Sequence, residues 1–196
     1  MDFAVRIAIL DDVTGMGRVF ADTFRAAHHG QIPDAHLSSR TSESSARGWA
    51  DALRTLDAAE NPDERIWVAI DESGEVIGIA MAGPAKPWAA DGAVRASRPT
   101  GECNVLYVDV TRQRRGVGRA LLAQVASFLS SKGWPRLVVG VLAANQPARS
   151  FYERVGGQLL GERKFDDSGV LLDEVVYVWE DLDSLLTRPR HTSGTP

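Results

Sequence analysis

The segment Gln113-Arg114-Arg115-Gly116-Val117-Gly118, QRRGVG, separates two apolar runs of different character. Before it, ECNVLYVDV (102–110) is rich in β-branched residues and is typical of a buried strand. After it, ALLAQVASFLSS (120–131) is typical of a helix. Two glycines let the backbone approach a ligand closely, and the N–H groups at a helix N-terminus favour an anion. The segment therefore predicts an anion-binding turn.

Two common phosphate-binding loops are excluded by the residues that follow. A Walker A loop requires Gly-Lys-Ser/Thr, whereas Gly118 is followed by Arg119-Ala120. A dinucleotide fingerprint requires a third small residue three positions after the second glycine, where Leu121 stands. A tight turn with solvated arginines remains as an alternative, because short motifs have a high false-positive rate.

Composition narrows the range of partners. The 196 residues carry a net charge of −4, which argues against nucleic acid, since nucleic-acid binding needs a basic face. The basic residues near the loop, which suit a small anion, are Arg112, Arg114, Arg115 and Arg119. A single cysteine, Cys103, excludes an intrachain disulfide and favours a reducing compartment. With no signal-peptide pattern and no apolar stretch of roughly 20 residues, we expect a cytoplasmic protein without membrane association.

Periodicity and turn residues predict one α+β domain over 3–182, followed by a polar tail over 187–196. The expected strands are 3–9, two forming a hairpin around Asp71–Gly74, 102–110, 136–142, and two forming a hairpin around Asp167–Gly169. Helices are expected after Asp11-Asp12, before Asn61-Pro62, after the glycine loop and from Pro147 with Asn145 as its cap. We expect loops over 28–45 and 84–101.

QRRGVG resembles the Q/R-x-x-G-x-G/A loop of the GNAT superfamily of N-acetyltransferases, which also lies between a strand and a helix. Further along, LVVGVLAANQPARSFYERVGG (137–157) resembles the second signature of that family. In that signature a strand is followed by an Asn, an Ala, a Phe-Tyr pair and a Gly. The matching residues here are Asn145, Ala148, Phe151, Tyr152 and Gly156. The resemblance implies a GNAT fold: a central mixed, mostly antiparallel sheet of six to seven strands, flanked by four helices and splayed at the cofactor-binding strands.

The resemblance also implies acetyl-CoA as cosubstrate and no metal. Backbone amides of the glycine loop would hold the pyrophosphate, the backbone of 106–108 would pair with the pantetheine arm, and Asn145 would bind the arm from the other side. The expected cofactor-binding residues are Leu106, Tyr107, Val108, Gln113, Arg114, Arg115, Gly116, Val117, Gly118, Arg119, Asn145, Ala148 and Tyr152.

Acetyl transfer needs a proton for the departing thiolate and a neutral amine. By resemblance Tyr152 is the general acid, a phenol protonated at neutral pH. In some family members the general base is a Glu on the later strand, at the position where this chain has Gly140. In others the general base is a Glu at the position of Glu102. Strand alternation predicts Glu102, Asn104, Leu106, Val108 and Val110 on one face. Glu102 is therefore the candidate base, with an exposed strand-end carboxylate as the alternative.

The remaining histidine, cysteine and tryptophan candidates are not expected to take part in catalysis. His28-His29 lie in a predicted loop without nearby Cys or spaced carboxylates, so we expect no metal site there. Cys103 is expected in the core. Trp88, in the loop over 84–101, is a candidate substrate contact.

Two functions from different classes follow. The first is an N-acetyltransferase in which a primary amine attacks acetyl-CoA directly. The alternative is a non-catalytic GNAT-like module that binds CoA as a sensor or assembly part.

We expect a small-molecule amine as acceptor, with a peptide or protein amine as the other option. The expected acceptor regions are 24–45, 84–101 and 163–172, which include Asp34, Asp91, Asp166 and Asp167. Family analogy favours a homodimer through Val175, Val176, Val178 and Trp179.

Overall fold

The structure, a computed structural model, describes residues 3–60, 62–85, 99–167 and 169–186. Within these residues seven strands form one sheet, in the order β1-β2-β3-β4-β5-β7-β6. The strands are β1 Phe3–Ile7, β2 Arg65–Asp71, β3 Val76–Pro84, β4 Thr100–Val108, β5 Arg136–Leu142, β6 Gln158–Asp167 and β7 Val170–Trp179. The helices are α1 Val13–His28, α2 Asp34–Ser39, α3 Ser42–Asp57, α4 Val117–Ser131, α5 Gln146–Arg154 and α6 Asp183–Leu186.

The sheet is covered on both faces, which explains why its central strands are apolar on both sides. On one face α1 and α3 pack through buried side chains such as Met16, Val19 and Leu53. On the other face α4 and α5 pack through Leu121, Val125 and their neighbours. The four long helices thus flank the sheet as predicted, and the predicted α+β architecture, a mixed and mostly antiparallel sheet of seven strands, is confirmed for the described residues.

Strands β4 and β5 separate along their length. They are the one parallel pair among the described strands, and their ladder runs only from Thr100↔Arg136 to Glu102↔Val138. Beyond Glu102, β4 pairs with β3, while β5 pairs with β7. The predicted splay is therefore present, and it opens a cleft in the middle of the sheet.

The predicted loop over 28–45 is wrong in part. His28 is the last residue of α1, and residues 34–39 form the short helix α2. Helix α3 begins at Ser42 because Thr41 and Ser44 cap it reciprocally, each side chain bonding the backbone N–H of the other. Of the predicted loop over 84–101, residues 86–98, with Trp88 and Asp91, lie outside the described residues, as does the predicted tail 187–196.

The predicted faces of β4 are also wrong. A bulge at Asn104 interrupts the pairing of β4 with β3, since Ala82 pairs with Cys103 but Met81 pairs with Val105. One extra residue reverses the alternation. Glu102 consequently shares a face with Val105 and Tyr107, whereas Cys103 joins Leu106 and Val108 on the α4 face. Val110 lies beyond the strand, in a short 3-10 turn.

Candidate active site

The glycine loop has the backbone geometry of an anion site. Arg114 and Gly116 adopt positive φ angles of 63° and 87°, and Gly116 is the N-cap of α4 without a side-chain cap bond. The first turn of α4 contains no acidic residue. The N–H groups of this turn are therefore available to a ligand, and the helix dipole favours an anion there by about 0.3–1 kcal/mol.

Some side chains around the loop pack or bond against the rest of the protein, and others are exposed to solvent. Val117 is buried in the core, so this residue can bind a ligand only through its backbone. Gln113 donates from Nε2 to the carbonyl of Val108 at 3.2 Å, which ties the loop to the end of β4. Arg114 and Arg115 are exposed and Arg119 is half-buried. Arg112 is held instead by Asp71, at 3.0 Å.

The splay encloses a cleft of about 200 Å³. Strand β4 contributes one wall, with Leu106 and Tyr107, and β5 contributes the other, with Val139 to Leu142. Because neither strand has a ladder partner across the gap, an extended ligand can lie between them. Val108 ends β4 just beyond the cleft, and its carbonyl accepts bonds from Gln113 and, at 3.4 Å, from Thr23.

Asn145 and Ala148 lie at the start of α5, on the β5 side of the cleft. The Oδ1 atom of Asn145 accepts the N–H of Ala148 at 3.2 Å, which is the helix cap that the sequence predicted. Asn145 is buried and lines the cleft, as does Ala148. With Oδ1 used by the cap, the Nδ2 amide is the group that Asn145 can offer to a ligand.

Tyr152, one helical turn further along α5, also lines the cleft. It is buried between Phe151, Tyr177 and Trp179, with ring centroids 5.2, 5.9 and 6.1 Å away. Burial, together with the nearby groups Cys103, Tyr107 and Glu174, raises the pKa of Tyr152 well above its ordinary value. The phenol is therefore protonated throughout the physiological pH range and can act as a donor.

Glu102 belongs to an ion-pair cluster. It is buried, lines the cleft, and pairs through Oε1 with Nη2 of Arg163 at 3.0 Å. The same guanidinium donates from Nε to Oε2 of Glu174 at 2.8 Å. The alternative interpretation of Glu102 as an exposed strand-end carboxylate is wrong. Neither Arg163 nor Glu174 was predicted as a catalytic or binding residue from the sequence, and Gly140, whose missing side chain leaves room for both, is their one signal in the sequence.

The far end of the cleft is formed by the expected acceptor regions over 24–45 and 163–172. Their lining residues are Phe24, His28, Ile32, Arg163, Phe165, Asp167 and Leu172. Asp167 joins the β6–β7 hairpin to the region of α2 by an ion pair with Arg40 and by a hydrogen bond with Nε2 of His36 at 2.9 Å. His28 is not a loop residue but a buried one, 3.5 Å from the Tyr107 hydroxyl.

In the described part of the chain, no group of three or more His, Cys, Asp or Glu side chains could hold a metal ion. No helix over the same residues is long and apolar enough to cross a membrane.

The comparisons with known proteins decide the family. Residues 10–157 match the model of the acetyltransferase (GNAT) family. The chain belongs to this family. This GNAT chain is 34% identical over 185 residues to the uncharacterized N-acetyltransferase YuaI of Bacillus subtilis strain 168, which covers 93% of the chain and 96% of YuaI.

Solved structures share the GNAT fold at lower identity. The PaiA N-acetyltransferase of Thermoplasma acidophilum, in complex with coenzyme A, matches with a TM-score of 0.67 and 16% identity, over 89% of this chain and 98% of that one. The phosphinothricin acetyltransferase of Sinorhizobium meliloti, in complex with acetyl-CoA, matches with a TM-score of 0.66 and 19% identity, over 98% and 95%.

Proposed function

We propose that this GNAT protein transfers an acetyl group from acetyl-CoA to a primary amine by direct attack of the amine on the thioester. The observation that carries the proposal is the splayed cleft between β4 and β5, preceded by an uncapped glycine loop and lined by a protonated Tyr152. The pyrophosphate would be held by the amides of the loop and the exposed Arg114 and Arg115. The pantetheine arm would lie along 106–108 and against Asn145.

The environment of Cys103 supports direct attack over an acetyl-cysteine intermediate. This thiol is buried, and burial, with a further contribution from Glu102, raises its pKa to about 12. Because the thiolate is the nucleophilic form, Cys103 is inert at neutral pH. Tyr152 would protonate the departing CoA sulfur, backbone amides near Val108 would stabilise the oxyanion, and the carboxylates of the Glu102 cluster would accept the amine proton.

The acceptor end suits an amine that arrives as a cation. Three carboxylates lie at this end of the cleft, those of Glu102, Glu174 and Asp167. They pair with two guanidinium groups, those of Arg163 and Arg40. A small-molecule amine fits the size of the cleft, and a peptide amine remains the second candidate. Solved relatives carry names of both kinds: phosphinothricin acetyltransferase, and ribosomal-protein-alanine N-acetyltransferase from Brucella melitensis.

Thiol release from acetyl-CoA, measured with a panel of phosphinothricin, spermidine, free amino acids and an Ala-initiated peptide, tests this function. We expect one amine of the panel to accelerate thiol release well above the rate of acetyl-CoA alone. CoA binding without acceleration by any amine would instead support the non-catalytic CoA-binding module.

A homodimer remains part of the proposal, but the surface predicted for it is wrong. Val175, Val176, Val178 and Trp179 are buried within the chain and cannot form an apolar patch. Light scattering over a range of concentrations tests the dimer, and a mass equal to the monomer at every concentration would exclude it.

A further inference from the structure

Arg163 lies across the strands that border the cleft. It is on β6, directly opposite Glu174 of β7, and its Nη2 atom reaches Glu102 of β4 at 3.0 Å. In the sheet order, β7 and β5 lie between β6 and β4. One guanidinium therefore joins carboxylates from two strands that do not touch, above the point where β4 and β5 begin to separate.

Gly140 of β5 makes this arrangement possible. A Cβ atom at position 140 would overlap the guanidinium of Arg163 and would lie 2.5 Å from Oε2 of Glu174. Any larger residue would displace both groups, since a real Cβ does not approach other atoms this closely. The absence of a side chain at 140 thus brings the carboxylate of Glu174 over β5, at the wall of the cleft.

The two carboxylates differ in their access to the cleft. The side chain of Glu102 is 3% exposed, while that of Glu174 is 11% exposed. Both line the cleft together with Tyr152. Both carboxylates pair with the guanidinium of Arg163, so an arriving ammonium group would meet carboxylate oxygens at this wall of the cleft.

We infer, on the basis of the proposed acetyl transfer, that Glu174 is the base that takes the proton from the acceptor amine, while Glu102 positions Arg163. Glu174 lies on β7 and is not among the site residues predicted from the sequence; it would be the proton acceptor of the proposed transfer.

The electrostatics around Glu174 fit a base. Burial raises its pKa above the ordinary value, the ion pair with Arg163 opposes this, and the negative charges of Glu102 and Asp167 add to the rise. A carboxylate with a raised pKa is a better proton acceptor near neutral pH. The titratable and charged groups that act on Glu174 or face it are Arg163, Glu102, Asp167, Tyr107 and Tyr152.

The proton balance of the step is complete with these groups. Glu174 takes one proton from the ammonium group and later releases it to solvent. The neutral amine forms the new C–N bond with the thioester carbon, and the C–S bond breaks. Tyr152 gives its proton to the sulfur, and the second nitrogen proton returns to the Tyr152 oxygen. The products are the amide and the CoA thiol.

The test compares Glu174→Gln with Glu102→Gln and with Glu162→Gln, a matched control on the exposed side of β6. For each, kcat/KM is measured between pH 6 and 10 with the panel amine that the wild type turns over fastest, and CoA affinity is measured by calorimetry. Glutamine keeps an oxygen for the Arg163 hydrogen bond, so the cluster can remain assembled.

We expect Glu174→Gln to lower kcat/KM by about 10²–10⁴-fold below the pKa of the amine. The loss should shrink as pH rises, because the free amine then forms without a base, and CoA affinity should not change. Glu102→Gln should cause a smaller loss without altering the shape of the pH profile. Glu162→Gln should match the wild type.

A Glu174→Gln variant with the wild-type pH profile would overturn the assignment. A loss of kcat/KM that shrinks as pH rises, seen in Glu102→Gln and not in Glu174→Gln, would overturn it as well. A wild type that acetylates no amine would overturn the proposed function itself, so the two failures are distinguishable. Should Glu174→Gln fail to fold, carbon NMR titration of the wild-type carboxyl groups decides instead. An ordinary pKa for Glu174 in that titration would contradict its role.

Discussion

Gly118 of the glycine loop lies directly against the ring of Phe151 in α5. A Cβ atom at position 118 would be 3.3 Å from Cζ of Phe151. The next residue of α5 is Tyr152, whose ring packs against Phe151 at 5.2 Å. The loop proposed to hold the pyrophosphate and the helix that carries the proposed acid therefore lie against each other at Gly118 and Phe151.

Gly118→Val should weaken CoA binding at least about tenfold, equivalent to roughly 1.4 kcal/mol. The added side chain would press on Phe151 and keep a phosphate away from the first-turn amides. Calorimetry with CoA measures the effect. Gly48→Val is the control, because Gly48 is an exposed glycine of α3 with open space around its missing Cβ. Unchanged affinity in Gly118→Val would refute the role of the loop.

Tyr152→Phe should lower turnover by about 10²–10⁴-fold and leave CoA affinity unchanged, because only the hydroxyl is removed. The control is Tyr177→Phe, which deletes another buried hydroxyl, one that donates to Glu153 at 2.7 Å. That variant should lose stability, by about 1 kcal/mol, rather than turnover. Wild-type turnover in Tyr152→Phe, under conditions where chemistry limits the rate, would exclude this tyrosine as the acid.

Gly140→Ala should destabilise the fold by about 1–3 kcal/mol, the usual cost of forcing extra atoms into a packed site. It should also lower turnover, because Arg163 and Glu174 must move. Denaturant unfolding and the thiol-release rate measure the two effects. Gly161→Ala, where a Cβ would meet nothing within 4 Å, is the matched control. Equal stability of the two variants would show that Gly140 is not needed for the cluster.

The sequence predicted most of the fold because the deciding signals are local. The glycine loop, the Asn145 cap and the hairpin turns each depend on a few adjacent residues, and the structure places them as expected. The short helix α2 was missed because only one of its side chains, Leu37, is buried, which leaves almost no apolar periodicity.

Long-range features of the site were not predictable in the same way. The bulge at Asn104 depends on the pairing with β3, and one extra residue moved Glu102 to the other face of β4. Arg163 and Glu174 reach the cleft across neighbouring strands, and only the folded sheet brings them to Gly140. In the sequence, Gly140 shows only that the general-base Glu of some family members is absent. In the structure, the same glycine leaves space for the side chains of Arg163 and Glu174.

His28 should make the protein less stable as pH falls from about 6.5 towards 4. Burial lowers its pKa from 6.5 to about 4; the negative charge of Asp167 opposes this shift by a smaller amount, and the positive charge of Arg40 adds to it. In this window the unfolded chain binds a proton that the folded chain does not, so stability is full above pH 6.5 and decreases by about 3 kcal/mol on acidification.

Denaturant unfolding at pH 7 and pH 4 measures this dependence, with His28→Gln compared with His29→Gln, whose histidine is exposed. His28→Gln should lose less stability between the two pH values than the wild type, and His29→Gln should behave like the wild type. Identical pH dependence in all three proteins would contradict a neutral, buried His28.

The central claim, direct acetyl transfer in the β4–β5 cleft, is tested most directly by acid-quenched single-turnover reactions followed by mass spectrometry. Enzyme in excess over acetyl-CoA is mixed with the best amine of the panel, and CoA thiol, acetylated amine and protein mass are measured together. We predict equal amounts of thiol and acetylated amine, no acetylated protein at any time, and no thiol release without amine. Acetylated protein that forms before the product, or bound acetyl-CoA that no amine consumes, would contradict the account.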